Sequence, residues 1–215
     1  MIRNNGVTLI SPISDTCVYS EVRSVYLKPT PGQVVVDAGA HYGFYSVFCS
    51  RLVGENGLIL AFEPDWVNFK NMKANLRLNN VRNVLALNYA LSDANETTKL
   101  YLSKRAIGHS IVRMSGKNFV WVPTRKLDSI IDEYRINRLD LIKIDVEGAE
   151  LLVLKGAIET LTKFKPVITT AAYHSQTQLQ EIVQFLSSKT PFYRFELARY
   201  PFHYGEYLNC YPAKR

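Results

Sequence analysis

The chain has 215 residues, of which 47% are hydrophobic and 21% charged, with a formal net charge of +7. These proportions belong to a globular domain that can bury a single core, and they exclude a disordered or fibrous chain. No apolar run approaches the roughly 18 residues that a membrane-spanning helix needs, and Met1–Val7 lacks the apolar stretch of a signal peptide, so the expected location is cytoplasmic.

No linker divides the chain, which is read as an N-terminal extension over residues 1–30 packing on one domain over 31–215. Apolar runs bounded by turn residues predict strands near Val34–Asp37, Leu58–Glu63, Val84–Asn88, Lys99–Leu102, Val120–Pro123, Leu141–Asp145 and Val167–Ala171. Stretches of 3.6-residue periodicity lie between them. One follows Gly43, with Phe44, Phe48 and Leu52 forming a stripe, and another follows the N-cap Asp65, with Phe69, Met72 and Leu76 on one side. A third runs from Glu147 through Leu151, Leu154, Ile158 and Leu161, and a fourth carries Leu179, Ile182, Val183 and Leu186. The partly alternating aromatic segments Phe192–Leu197 and Glu206–Tyr211 predict an antiparallel hairpin, whose edge offers pairing to a second copy in a homodimer. Strands alternating with helices imply a mostly parallel sheet with helices on both faces, in which ligands sit beyond the carboxyl ends of the strands.

Acidic residues at strand ends therefore matter most. The first strand ends in Asp37, and Gly39 and Gly43 follow before a helix. This is not the dinucleotide fingerprint, because His41 and Phe44 stand where two of its glycines would be. The second strand ends in Glu63-Pro64, an acid suited to accept hydrogen bonds from both hydroxyls of a ribose. A third block, Asp140-Leu141-Ile142-Lys143-Ile144-Asp145-Val146-Glu147-Gly148-Ala149-Glu150, gathers carboxylates where a strand meets a helix. There they either favour the helix N-terminus or face a ligand. Cys17, Cys49 and Cys210 are far apart without metal or redox spacing, so reduced, partly buried thiols are expected, and no metal site is. Between Lys99 and Leu127 lie seven basic residues and no acid, either a solvated surface or a rim attracting an anionic substrate or a nucleic acid.

Together these blocks resemble the FkbM-like methyltransferases. The resemblance runs from about Gly32 to about His174 and includes Val35-Val36-Asp37-Ala38-Gly39-Ala40-His41-Tyr42-Gly43-Phe44-Tyr45-Ser46, Phe62-Glu63-Pro64 with Asn68, and Ala90-Leu91-Ser92-Asp93. It continues through Gly108-His109-Ser110, Val122–Ile130 and, most specifically, Lys143–Glu150. It implies a Rossmann-like class I methyltransferase fold with a seven-stranded sheet, S-adenosylmethionine as cofactor, and a hydroxyl of a sugar, glycan or other small molecule as acceptor. Carried over by position, Asp37, Gly39 and Gly43 would cradle the methionine part with His41 beside them, Glu63 and Pro64 would hold the ribose, and Ala90 and Leu91 would flank the adenine. Many relatives have an acid near the end of the strand that here reads Thr169-Thr170-Ala171-Ala172-Tyr173-His174.

An attacking alcohol must lose its proton, and Asp145, His174 and His109 are the candidate bases or substrate-orienting groups. His41 sits in the cofactor turn and His203 in the late hairpin. Two alternatives remain open: a nucleic-acid methyltransferase, against which stands the lack of an Asn/Asp-Pro-Pro-aromatic block, and a non-catalytic relative that binds cofactor without turnover.

Overall fold

The computed structural model describes residues 2–4, 7–10, 26–103, 108–113, 117–199 and 205–213. Cys17, Lys104, Arg105, His203 and Tyr204 lie outside these residues. A short hairpin, β1 (Ile2–Asn4) and β2 (Val7–Leu9), precedes β3 (Val34–Ala38), α1 (Phe44–Val53), β4 (Leu58–Phe62), α2 (Trp66–Leu78) and β5 (Val84–Leu87). Then come β6 (Ala90–Leu91), β7 (Glu96–Tyr101), β8 (Phe119–Arg125), α3 (Leu127–Glu133) and β9 (Leu141–Ile144). The remainder is α4 (Glu150–Lys155), α5 (Ile158–Phe164), β10 (Val167–Ala171), α6 (Gln178–Lys189), β11 (Tyr193–Arg199) and β12 (Glu206–Pro212).

The main sheet has seven strands in the order β11-β12-β10-β9-β3-β4-β5. The pairs from β5 to β10 are parallel, and β12 lies antiparallel to both neighbours, so β12 alone runs against the rest. This is the class I methyltransferase arrangement with its C-terminal hairpin. The pleat sends alternate residues to opposite faces. Val36, Leu60, Ile142 and Ile168 meet Ile130, Leu154, Leu161, Ile182 and Leu186 in one core, while Val35 and Ile59 meet Tyr45, Cys49 and Val53 of α1 on the other face. Val7 and Leu9 join that second face with Val47, Phe69 and Met72.

Several expectations change. The segments at Lys99–Leu102 and Val120–Pro123 leave the main sheet and form, with β6, a three-stranded sheet in the order β6-β8-β7. The stripe expected at Phe44, Phe48 and Leu52 is displaced, because α1 is covered on several sides: Tyr45, Ser46, Val47, Cys49, Ser50 and Val53 are buried with Phe44, whereas Phe48 and Leu52 are only partly so. The single helix expected from Glu147 begins at Glu150 and breaks at Gly156. A Cβ at Gly156 would stand 2.0 Å from the Ser92 carbonyl oxygen, and the Asp128 carboxylate accepts the N–H groups of Glu159 and Thr160 at 3.1 and 2.8 Å, capping α5 as a separate helix. The helix α3, which supplies that cap, has no counterpart among the predicted elements.

Candidate functional site

Chain order reverses between β3 and β9, and a crevice opens beyond their carboxyl ends, where such sheets bind ligands. A cavity of about 320 Å³ lies there, within the usual size of a small-molecule site. Its walls include the turn after β3, Glu63 and Pro64 after β4, Tyr89–Leu91, Leu100 and the 108–111 strip from the small sheet, the end of β9 through Glu147, and Tyr26, Tyr173 and Tyr207.

Backbone geometry shapes the turn. The N–H groups of Gly39 and Ala40 donate to the Phe62 carbonyl at 3.1 and 2.8 Å, and Gly39, His41 and Gly43 have φ of 78°, 52° and 76°. At Gly39 any side chain would collide with the chain after β9, since a Cβ would lie 1.9 Å from the Asp145 carbonyl oxygen. Lys143 ties the same turn from below: its Nζ donates to the carbonyls of Ala38 and Gly39 at 3.1 and 2.8 Å and pairs with Asp37 Oδ1 at 3.0 Å. Asp37 is fully buried and accepts the Ser46 hydroxyl at 2.6 Å. Asp37 and Gly43, expected to touch the cofactor, do not line the cavity; they brace the turn that does. Gly39, His41, Glu63, Pro64, Ala90 and Leu91 all line it.

Glu63 lines the cavity beside the turn after β3. Its Oε2 accepts the His41 N–H at 2.8 Å and its Oε1 the Asp65 N–H at 2.9 Å. The carboxylate has four acceptor positions, and with Asn68 as a third donor one remains for a ligand hydroxyl. Burial pushes the Glu63 carboxyl up to about 7, against the lowering pull of the two backbone donors and Asn68. The Asn88 side chain donates to the carbonyls of Glu63 and Pro64 at 2.8 and 3.0 Å and fixes this corner. With apolar Ala90, Leu91 and Leu100 nearby, the described residues fit a ligand that carries a ribose and a flat base.

Tyr26 donates its hydroxyl to Asp145 Oδ2 at 2.5 Å, and Asp145 Oδ1 is buried without a hydrogen-bond donor among the described residues. Glu147 has a left-handed φ of 56°. It is held there by the Ser110 hydroxyl, which donates to its carbonyl at 2.7 Å, and by Arg113 and His174, whose nitrogens lie 3.5 and 3.3 Å from Oε2.

The two candidate histidines differ from expectation as bases. The His174 side chain is only 4% exposed and does not line the cavity; Nδ1 is 3.0 Å from Glu150 Oε1, and Nε2 is 3.3 Å from Glu147 Oε2 and 3.8 Å from Asp145 Oδ1. Burial opposes its charge, but Glu147, Glu150 and Asp145 outweigh burial and push its pKa up to about 10, so at neutral pH it is an imidazolium without a lone pair to offer. His109 does line the cavity, yet its Nδ1 already accepts the Ser103 N–H at 3.0 Å, which leaves the ring proton on Nε2. Burial lowers its pKa, against the pull of Asp65 and Glu147, so it is neutral and presents a donor.

A stability test follows from His174. Its pKa is raised on folding, so its contribution is complete below the ordinary histidine value of about 6.5 and is lost as pH rises through about 10. His174→Ala is expected to cost about 3 kcal/mol at pH 7 by leaving buried carboxylates unpaired. Thermal melting should then show a drop of about 10 °C at pH 7 that shrinks above about pH 10; a pH-independent drop would refute the charged assignment.

Tyr26, Tyr173, Tyr207 and the bracing role of Lys143 were not anticipated from the sequence. The three rings meet edge to face, with Tyr26–Tyr207 and Tyr173–Tyr207 centroids 5.4 and 5.5 Å apart. Only the Lys143–Glu150 block carried a signal for any of these four residues. Asp145, Glu150 and His174 have ligand atoms close enough to share a metal ion, but both Glu150 oxygens are already engaged by the Val146 and Gly148 N–H groups and by Gln178.

Comparison with known proteins agrees with this architecture. The methyltransferase FkbM domain model matches residues 37–196. Methyltransferase sdnD of Sordaria araneosa is 34% identical over 157 residues, covering 58% of this chain and 60% of that protein. The 2-O-methyltransferase NoeI of Sinorhizobium fredii is 29% identical over 199 residues, covering 82% and 79%. The crystal structure of methyltransferase FkbM from Methylobacillus flagellatus KT superimposes with a TM-score of 0.67 at 24% identity, covering 90% of this chain and 48% of that one. The chain thus spans about three fifths of sdnD and about half of that solved chain. With the matched segment running from the end of β3 into β11 and enclosing the Glu63 corner and the Asp145 block, the chain belongs to the FkbM methyltransferase domain family.

Proposed function

We propose that this protein transfers a methyl group from S-adenosylmethionine to a hydroxyl of a sugar or small glycan. The observation that carries the reading is one cavity lined by both Glu63 and Asp145, whose Oδ1 is a carboxylate oxygen without a hydrogen-bond donor among the described residues. Two relatives support the acceptor class: NoeI, named as a 2-O-methyltransferase, supports oxygen as the acceptor atom, and the hexuronic acid methyltransferase AglP of Haloferax volcanii, 25% identical over 166 residues, supports a carbohydrate.

When bound, S-adenosylmethionine supplies a sulfonium methyl group open to in-line attack. The protein's task is to hold an alcohol oxygen about 3–3.5 Å from that carbon and to accept its proton. Asp145 Oδ1 would accept the hydroxyl hydrogen and take the proton as the oxygen gains the methyl group and the methyl–sulfur bond breaks to leave a neutral thioether, while Tyr26 holds Oδ2 and so aims the other oxygen. Glu63 would hold the ribose, Gly39, Ala40 and His41 would hold the amino-acid portion, and Ala90, Leu91 and Leu100 would offer an apolar wall for the adenine. Asp37 and His174, which do not line the cavity, position these groups, and Lys143 braces the turn from the cavity wall. Buried free thiols at Cys49 and Cys210 support a reducing, cytoplasmic setting.

Incubation with methyl-labelled cofactor and panels of glycans, nucleotides and lipids tests the reading. Label in alkali-stable linkage on carbohydrate is the expected result. Label confined to nucleic acid would overturn the acceptor class, and cofactor binding without transfer to any panel would favour a non-catalytic relative.

A further inference from the structure

We propose that the acceptor end of the cavity is built for an uncharged polyol and discriminates against an acceptor that carries a carboxylate or phosphate beside the reacting hydroxyl. The inference rests on the methyl-transfer reading above.

The charge balance among the described residues carries it. Every cation near Asp145 is already taken. Lys143 is bound by Asp37 and two carbonyls, His174 lies between Glu150 and Glu147, and Arg113 pairs with Glu147. Four carboxylates, Asp37, Asp145, Glu147 and Glu150, therefore face three cations. The surplus negative charge falls at the cavity wall, where Asp145 accepts the neutral Tyr26 hydroxyl and shares His174, 3.8 Å away, with Glu147 and Glu150. The phenols report the same field: after burial, the charge of Asp145 is the next cause that raises both Tyr26 and Tyr173 above the ordinary tyrosine value. An anion placed here would meet like charge in a half-dry pocket with no free cation among the described residues to pair with.

A polyol meets the opposite situation. Its hydroxyl hydrogens are what carboxylates lack, and charge-assisted hydrogen bonds to them are the strong kind. Asp145 and Glu147 both line the cavity, so two neighbouring hydroxyls of one ligand can each find a carboxylate acceptor there. The rings of Tyr26, Tyr173 and Tyr207 supply apolar faces for the C–H groups of a pyranose and phenolic edges for its oxygens.

Matched pairs of methyl pyranosides test this: the glucoside, galactoside and mannoside, each against the same sugar oxidised at C6 to its uronate, with methyl-labelled cofactor at low salt. The neutral member of any pair that is methylated should show kcat/KM at least tenfold above its uronate. Glu147→Gln, which removes one negative charge, should narrow that gap at least threefold. Equal or faster use of a uronate overturns the inference while leaving the methyltransferase reading intact. Transfer only to a non-carbohydrate alcohol removes the polyol and the sugar class together, and failure of calorimetry to detect S-adenosylmethionine binding removes the methyltransferase reading itself.

Discussion

Glu63→Ala is expected to weaken S-adenosylmethionine binding at least about tenfold. The carboxylate offers one acceptor position beyond those taken by His41, Asp65 and Asn68, and one charge-assisted bond is worth about 1.5–3 kcal/mol, with about 1.4 kcal/mol per tenfold in affinity. Calorimetry with unchanged affinity would count heavily against the ribose assignment. Glu63→Gln serves as control, because it keeps one acceptor oxygen and much of the corner's shape while turning the other position into a donor that faces a backbone N–H, and it should fall between wild type and Glu63→Ala. A pH dependence accompanies this. Ribose hydroxyls favour the ionised carboxylate, whose pKa is pushed up to about 7, so affinity should climb from about pH 6 to about pH 8 and then level off. Without ligand the same group acts the other way. A raised carboxyl pKa means that the folded chain holds more protons than the unfolded one between about 4.5 and 7, so this group's contribution to stability falls across that interval as pH rises.

Asp145→Asn should lower kcat by about 10²–10⁴-fold, the usual contribution of a general base, while cofactor affinity stays within about twofold. Asparagine preserves shape and still presents an oxygen to Tyr26, so the loss would isolate proton acceptance from architecture. An Asp145→Asn enzyme with undiminished kcat would place the base elsewhere. The histidines are poor substitutes for different reasons: His174 is already protonated, and the Nδ1 lone pair of His109 is occupied by Ser103.

The contrast between these residues shows what a sequence discloses about such a site. β3 and β9 are short, mostly apolar runs with an acid at or just past the carboxyl end, and that pattern names Asp37 and Asp145. Asp65 was legible as an N-cap because capping is local, and its side chain accepts the Asn68 N–H at 2.8 Å. Long-range facts were not legible. Tyr26 reaches Asp145 across 119 residues, and no periodicity encodes that approach. Whether Asp37 faces ligand or lysine depends on a partner strand, and the charge state of His174 depends on three carboxylates from other segments. The segments around Lys99 and Trp121 read correctly as strands, yet their membership of a second sheet is set by pairing with each other and with Ala90–Leu91, not by their own composition.

The reversed strand β12 also imposes an order of assembly. β11 is made first but touches the sheet only through β12, which lies between it and β10. Until β12 emerges, β11 has no sheet neighbour, and the cavity lacks Tyr207. The tyrosine-lined wall of the cavity therefore closes only after β12 is made. The Glu63 corner, built from the ends of β3 and β4, can form earlier, so the walls of one cavity are completed in chain order.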